Sequence, residues 1–147
     1  MRKYIKLAPM KRLFILMMLI LTLGASAYSQ TIRNANNSML ATINTNGEVR
    51  NSNNSLVARI SSNGEIRDAN NHLLGKLDGN TVRNSNNSTV GYINNDGTVR
   101  NSNNSLLGRV CDDGTVRDSN NHLLGYARGV PVKYAAIYFF FNIFERK

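Results

Sequence analysis

The sequence predicts an all-β fold: repeated short β-hairpins joined as an up-and-down meander that closes into a small ring. Three observations predict it. Hydrophobic-Arg pairs recur at Ile32-Arg33, Val49-Arg50, Ile66-Arg67, Val82-Arg83, Val99-Arg100 and Val116-Arg117, with the arginines 17, 17, 16, 17 and 17 residues apart. A fixed period of this kind marks a repeat architecture. Turn-forming pairs separate every short apolar run, leaving no room for a helix between them. One position per unit is always small: Ala41, Ala58, Gly75, Gly91, Gly108 and Gly125. A small residue inside a strand marks close backbone approach, and six at one repeat position suggest strands converging on an axis.

Met1 to Ala27 reads as a secretory signal peptide. Arg2, Lys3, Lys6, Lys11 and Arg12 form a basic n-region, Leu13 to Leu23 an apolar h-region, and Ala25-Ser26-Ala27 a cleavage site. These 11 apolar residues are too few for a spanning helix, which needs about 20. Cleavage is expected after Ala27, with Gln30 as the alternative mature N-terminus. No cysteine near the site offers a lipid anchor. Taking the five leader cations from the formal +9 leaves the mature chain at +4. That mild excess calls for neither nucleic acid nor an anionic membrane, and no membrane span remains after cleavage. Residues 28–147 suit one domain with a modest core.

Residues 31–129 form the repeat array. Each unit reads Ile/Val-Arg-Asn/Asp-Ala/Ser-Asn-Asn-Ser/His, then a short apolar run, then a polar turn with Gly. A longer repeat of 50 residues maps Arg33, Arg50 and Arg67 onto Arg83, Arg100 and Arg117, and Asp68 and His72 onto Asp118 and His122. One strand ends near each arginine, as in Glu48 to Asn51, and the other follows the Asn pair, as in Leu56 to Ile60. Asn tolerates positive φ and bonds its own backbone, so the Asn pairs suit tight turns. Asn46-Gly47, Asn63-Gly64, Asp78-Gly79, Asp96-Gly97 and Asp113-Gly114 are hairpin signals. On the strand after each Asn pair, one face carries Leu56, Ala58 and Ile60 and their equivalents. The opposite, half-buried face carries Val57 with Arg59, Leu74 with Lys76, Val90 with Tyr92, and Leu107 with Arg109. A stacked solenoid is the alternative to a ring, but its end units should be atypical caps, and the first unit here is regular.

Residues 130–147 break the pattern. Tyr134 to Phe144 is dominated by aromatics and too short to span a membrane as a helix. It is expected to be a final strand that plugs or closes the ring, with a surface for a partner or lipid interface as the alternative.

The pattern Arg-Asn-x-Asn-Asn-Ser-Leu-Leu-Gly-Arg, its continuation through Asp-Gly-x-Val-Arg-Asp-x-Asn-Asn-His-Leu-Leu-Gly, and the aromatic tail resemble the five-fold β-flower proteins, a family of bacterial exported proteins. The resemblance covers nearly all of the mature chain. It implies a propeller-like ring with about five-fold pseudosymmetry, and no chemistry. Six Asn-Asn motifs bracket five hairpins from Leu40 to Arg117, with the sixth motif and the tail overlapping the first to seal the circle; a six-unit ring is the alternative. The third hairpin, at Gly75 to Gly79, is one residue short.

Candidate binding residues follow from the ring. It places Arg33, Arg50, Arg67, Arg83, Arg100 and Arg117 in equivalent positions, where guanidinium groups could grip a carboxylate or an acidic glycan. The structural reading, preferred because the arginine is needed in every unit, has each one bonding a carbonyl or an Asn/Asp of a neighbouring unit. Repeated asparagines offer amides to sugars but also fit turn geometry. Tyr92 and Tyr126, at one repeat position, are the only aromatic platforms within the array. Asp68 with His72, and Asp118 with His122, lie across turns without a third repeating ligand, so no metal site is expected. Cys111, the only cysteine, allows no intrachain disulfide, and its position has no counterpart cysteine in other units, so no nucleophile is assigned. No catalytic or cofactor-binding motif appears. The expectation is an exported protein, periplasmic or extracellular, that is not an enzyme, binds no cofactor, and binds a cell-envelope glycan or protein. The alternative is an assembly protein using its aromatic segment as the contact.

Overall fold

The computed structural model describes residues 30–144; the signal-peptide expectation lies outside them. Twelve strands follow in order: β1 (Thr31–Asn34), β2 (Met39–Ile43), β3 (Glu48–Asn51), β4 (Leu56–Ile60), β5 (Glu65–Asp68), β6 (Leu73–Asp78), β7 (Thr81–Asn84), β8 (Thr89–Ile93), β9 (Thr98–Asn101), β10 (Leu106–Val110), β11 (Thr115–Asp118) and β12 (Leu123–Tyr126). Each pairs antiparallel with the next. β12 pairs back onto β1, with Arg33 opposite Tyr126, so the sheet is a closed barrel without an edge.

One turn geometry serves both ends of the barrel. At an Asn-Asn turn, Asn37 N–H donates to the Asn34 carbonyl (2.9 Å) and Asn34 N–H to the Ser38 carbonyl (3.0 Å). Asn37 then sits at φ +65°, the left-handed residue that completes a three-residue hairpin loop. At the other end, Gly47 holds the same place at φ +82°. What separates the two is the neighbour. A Cβ on Gly47 would strike the Ile60 carbonyl oxygen, which leaves only glycine, whereas Asn37 is exposed. The short third repeat resolves as a two-residue loop, Gly79-Asn80, with Asp78 directly opposite Thr81.

Counted at the Asn-Asn turns, the ring has six hairpins; counted at the second kind of turn, it has five connections. The sixth junction is where the two ends of the array meet. Ile60 N–H donates to the Gly47 carbonyl (2.8 Å), and Gln30 offers the equivalent carbonyl to Ile43 N–H (2.9 Å). The sixth motif therefore pairs with the first and does not overlap it.

The odd strands send Ile32, Val49, Ile66, Val82, Val99 and Val116 inward, each at most 1% exposed. The small residues and Ile43, Ile60, Ile93 and Val110 face them from the even strands. A β-bulge in every hairpin changes one sequence expectation. Ile32 faces Ala41 but Arg33 faces Met39, so Leu40 is extra, and the same slip occurs at Val57, Leu74, Val90, Leu107 and Leu124. Strict alternation places these residues on the outer face. The bulge redirects them, and Leu40, Leu74, Val90, Leu107 and Leu124 pack on the core.

The tail is not a closing strand. It forms helix α1 (Val132–Phe140), which enters from the Gly-turn end, where Lys133 Nζ donates to the Gly79 carbonyl (2.7 Å). Once β1 and β12 have paired, no sheet edge is left to receive a strand. A chain inside the barrel must then satisfy its own N–H and C=O groups, which a helix does. Ala135, Ala136 and Ile137 are fully buried in the middle. The aromatics leave the helix at the Asn-Asn end and cover the inward glycines: a Cβ on Gly125 would lie 2.9 Å from Phe139, on Gly108 2.7 Å from Phe140, and on Gly91 2.5 Å from Phe141.

Candidate functional site

The six repeat arginines lie on the outer wall, each between inward-facing neighbours of its own strand. All six make one bond. Nη1 donates to the carbonyl of the positive-φ asparagine of its own turn: Arg33 to Asn37 (2.9 Å), Arg50 to Asn54 (3.1 Å), Arg67 to Asn71 (2.9 Å), Arg83 to Asn87 (3.1 Å), Arg100 to Asn104 (2.8 Å) and Arg117 to Asn121 (3.0 Å). The acceptor lies in the arginine's own hairpin, not in a neighbouring unit. The first Asn or Asp of each motif completes the turn. Asn51 Oδ1, for example, accepts from the N–H groups of Asn53 and Ser55 (3.0 Å each).

Cross-strand register puts five of these arginines beside long side chains of the even strands, while Arg50 faces Thr42. Arg67 faces Arg59, Arg83 faces Lys76, Arg100 faces Tyr92, Arg117 faces Arg109, and Arg33 faces Tyr126. The charge around this belt is uneven. Glu48 contacts Arg50 (3.1 Å) and Arg59 (3.7 Å), and Glu65 contacts Arg67 (3.1 Å). At the same repeat position, β7, β9 and β11 carry Thr81, Thr98 and Thr115. The wall from Tyr92 to Arg33 thus holds Arg100, Arg109 and Arg117 between two tyrosines, with no strand carboxylate facing them. Asp96, in a loop, comes within 3.8 Å of Arg109, and both are about half exposed. Tyr92 and Tyr126 do not form one platform; they sit on β8 and β12, roughly 19 Å apart along the wall at about 4.8 Å per strand. Arg128 lies over the Tyr126 ring, 5.6 Å from its centroid.

Both Asp-His pairs close across their turns, at 3.0 Å for His72 with Asp68 and 3.2 Å for His122 with Asp118. The backbone N–H of His122 is the main influence holding the Asp118 carboxyl below its ordinary range, aided by the His122 ring and Asn120 N–H against a raising effect of burial. Thr98 hydroxyl and N–H hold Asp96 down in the same way. No cluster of three or more metal-ligating side chains occurs among the described residues, and no helix among them is long and apolar enough to cross a membrane. Cys111 is a free, half-buried thiol.

The structure also forms a cavity that the sequence reading did not anticipate. About 420 Å³ opens at the Asn-Asn end, lined by Leu40, Ala41, Val49, Asn51, Val57, Tyr138, Phe139, Asn142 and Phe144. Its sequence signal is faint: two of the six small positions are Ala and not Gly.

Comparison with known proteins assigns the family. No curated protein and no solved structure matches the chain. Residues 29–143 match the family described as 5-fold beta-flower protein. With its barrel of repeated hairpins and this match over most of its length, the chain belongs to the 5-fold beta-flower family.

Proposed function

We propose that the chain is an exported, non-catalytic binding module of the periplasm or cell surface, and that its outer wall from β8 to β1 holds an acidic glycan of the cell envelope. One observation supports this reading: Thr98 and Thr115 stand where Glu48 and Glu65 neutralise the opposite wall, so Arg100, Arg109 and Arg117 face no strand carboxylate between Tyr92 and Tyr126 and meet only carboxylates of exposed loops, Asp96 at 3.8 Å from Arg109 and Asp113 near Arg117. Tethering through Nη1 fixes each repeat guanidinium before a ligand arrives, which lowers the ordering cost of binding. Its remaining donors suit carboxylates. The beta-flower fold is not that of a known enzyme family. The assembly alternative, with the aromatic segment as contact, draws less support, because α1 spends its middle residues on the core.

The test is retention of Tyr28–Lys147 on peptidoglycan and on acidic and neutral insoluble polysaccharides at low and high salt. Retention on acidic matrices, weakened by salt, is expected to fall in Arg109→Gln and in Tyr92→Ala with Tyr126→Ala. Arg59→Gln, on the neutralised wall, should bind normally. Equal loss in Arg59→Gln, or no retention on any matrix, would overturn the reading.

A further inference from the structure

We propose that the cavity at the Asn-Asn end is a second binding site, for a small uncharged ligand with an apolar body and a hydrogen-bond acceptor. The argument starts from a broken symmetry. In four hairpins the inward position is glycine, and the tail lays one side chain on each: Phe139 on Gly125, Phe140 on Gly108, Phe141 on Gly91 and Ile143 on Gly75. In the other two hairpins the position is Ala41 or Ala58, and a cavity of about 420 Å³ lies against Ala41. Here the tail residues Tyr138, Phe139 and Phe144 border the space together with Leu40 and Val57 but leave it open.

The lining sets the ligand chemistry. It holds no Asp, Glu, Lys, Arg or His, so a charged ligand would lose hydration without gaining a partner. Asn51 is the polar group with a defined role. Its Oδ1 is engaged by two backbone N–H groups, so its amide NH2 is the part left to donate to a ligand in the cavity. The volume fits roughly a dozen non-hydrogen atoms at about 30 Å³ each, within the range of ordinary ligand pockets.

A matched pair of probes tests this: 2-acetylnaphthalene, uncharged, against 2-naphthoate, which replaces the methyl with an anionic oxygen. Titrations of the mature chain are followed by amide and methyl NMR shifts. The neutral probe should shift Leu40, Val57 and the Asn51 and Asn142 side-chain amides, and the anion should bind at least tenfold more weakly. Val57→Phe, which fills the cavity, should weaken the neutral probe at least tenfold, and Leu40→Phe is the substitute if that variant misfolds. Tyr92→Ala with Tyr126→Ala should leave binding intact, which separates this site from the outer wall. Shifts scattered elsewhere, equal binding of both probes, or no shifts at saturating probe would overturn the proposal.

Discussion

Arg100 donates from Nη1 to the backbone carbonyl of Asn104 at 2.8 Å, and Asn104 is the residue that the turn holds at φ +65°. The periodic arginine thus braces the strained point of its own hairpin. Its cross-strand partner is Leu106, which is 42% exposed.

Arg100→Met keeps the stem and removes the donor. It is expected to destabilise the fold by about 1 kcal/mol, the usual net worth of one hydrogen bond, with a midpoint shift in urea and no change of m-value. A similar loss in Arg33→Met would show that the brace acts alike in the first hairpin, β1–β2.

The two turn families should respond oppositely to substitution. Asn54, at φ +62° and exposed, should accept Gly with little change, while Ala should cost about 1 kcal/mol. Gly97→Asn should destabilise more than Asn54→Ala, because its Cβ meets the Val110 carbonyl, whereas Gly79→Asn meets nothing within 4 Å. Thermal melts of the four variants decide the order.

These contrasts show where the sequence was readable. Period, strand positions, turn positions and ring closure all follow from local chemistry repeated at a fixed spacing. The bulge at Leu40 does not, because one extra residue in a ladder leaves the hydrophobic pattern looking like simple alternation. Nor does the helical tail: Tyr134 to Phe144 reads as β-prone until closure at Arg33 and Tyr126 has removed the edge it would join. At the candidate site, the arginines and tyrosines were visible individually. Their grouping on one wall depends on register, and the cavity depends on which tail residue reaches which hairpin.

Deleting residues 132–147 should prevent native folding, since Ala135, Ala136 and Ile137 are fully buried. Loss of near-ultraviolet circular dichroism with dye binding to exposed apolar surface would report this. Gly108→Val should destabilise strongly as well, because its Cβ would strike the Arg117 backbone carbonyl oxygen and lie 2.7 Å from the Phe140 ring.

Acid should weaken the fold partly through Asp68 and Asp118, whose carboxyls are held below the ordinary range. A lowered folded-state pKa contributes stability that is complete above the ordinary carboxylate range and is lost as pH falls through the lowered value. Asp68→Asn with Asp118→Asn restores the residue of the other four hairpins. The double variant should be less stable than the parent at pH 7, and the difference should shrink as pH falls below about 4. Urea midpoints across that range check the sign.

The helix inside the barrel also sets an order of events. The side chains that cover Gly91, Gly108 and Gly125 come from residues 139–141, downstream of every strand in the wall they complete. During vectorial synthesis the hairpins can form one at a time, but their inner faces stay incompletely covered until α1 and the residues after it emerge. The β1–β12 pairing is similarly late, since it joins residues near 33 to residues near 126. Such long-range closure slows folding and leaves apolar surface waiting. The ring is a structure that completes in one final step, from both ends of its chain.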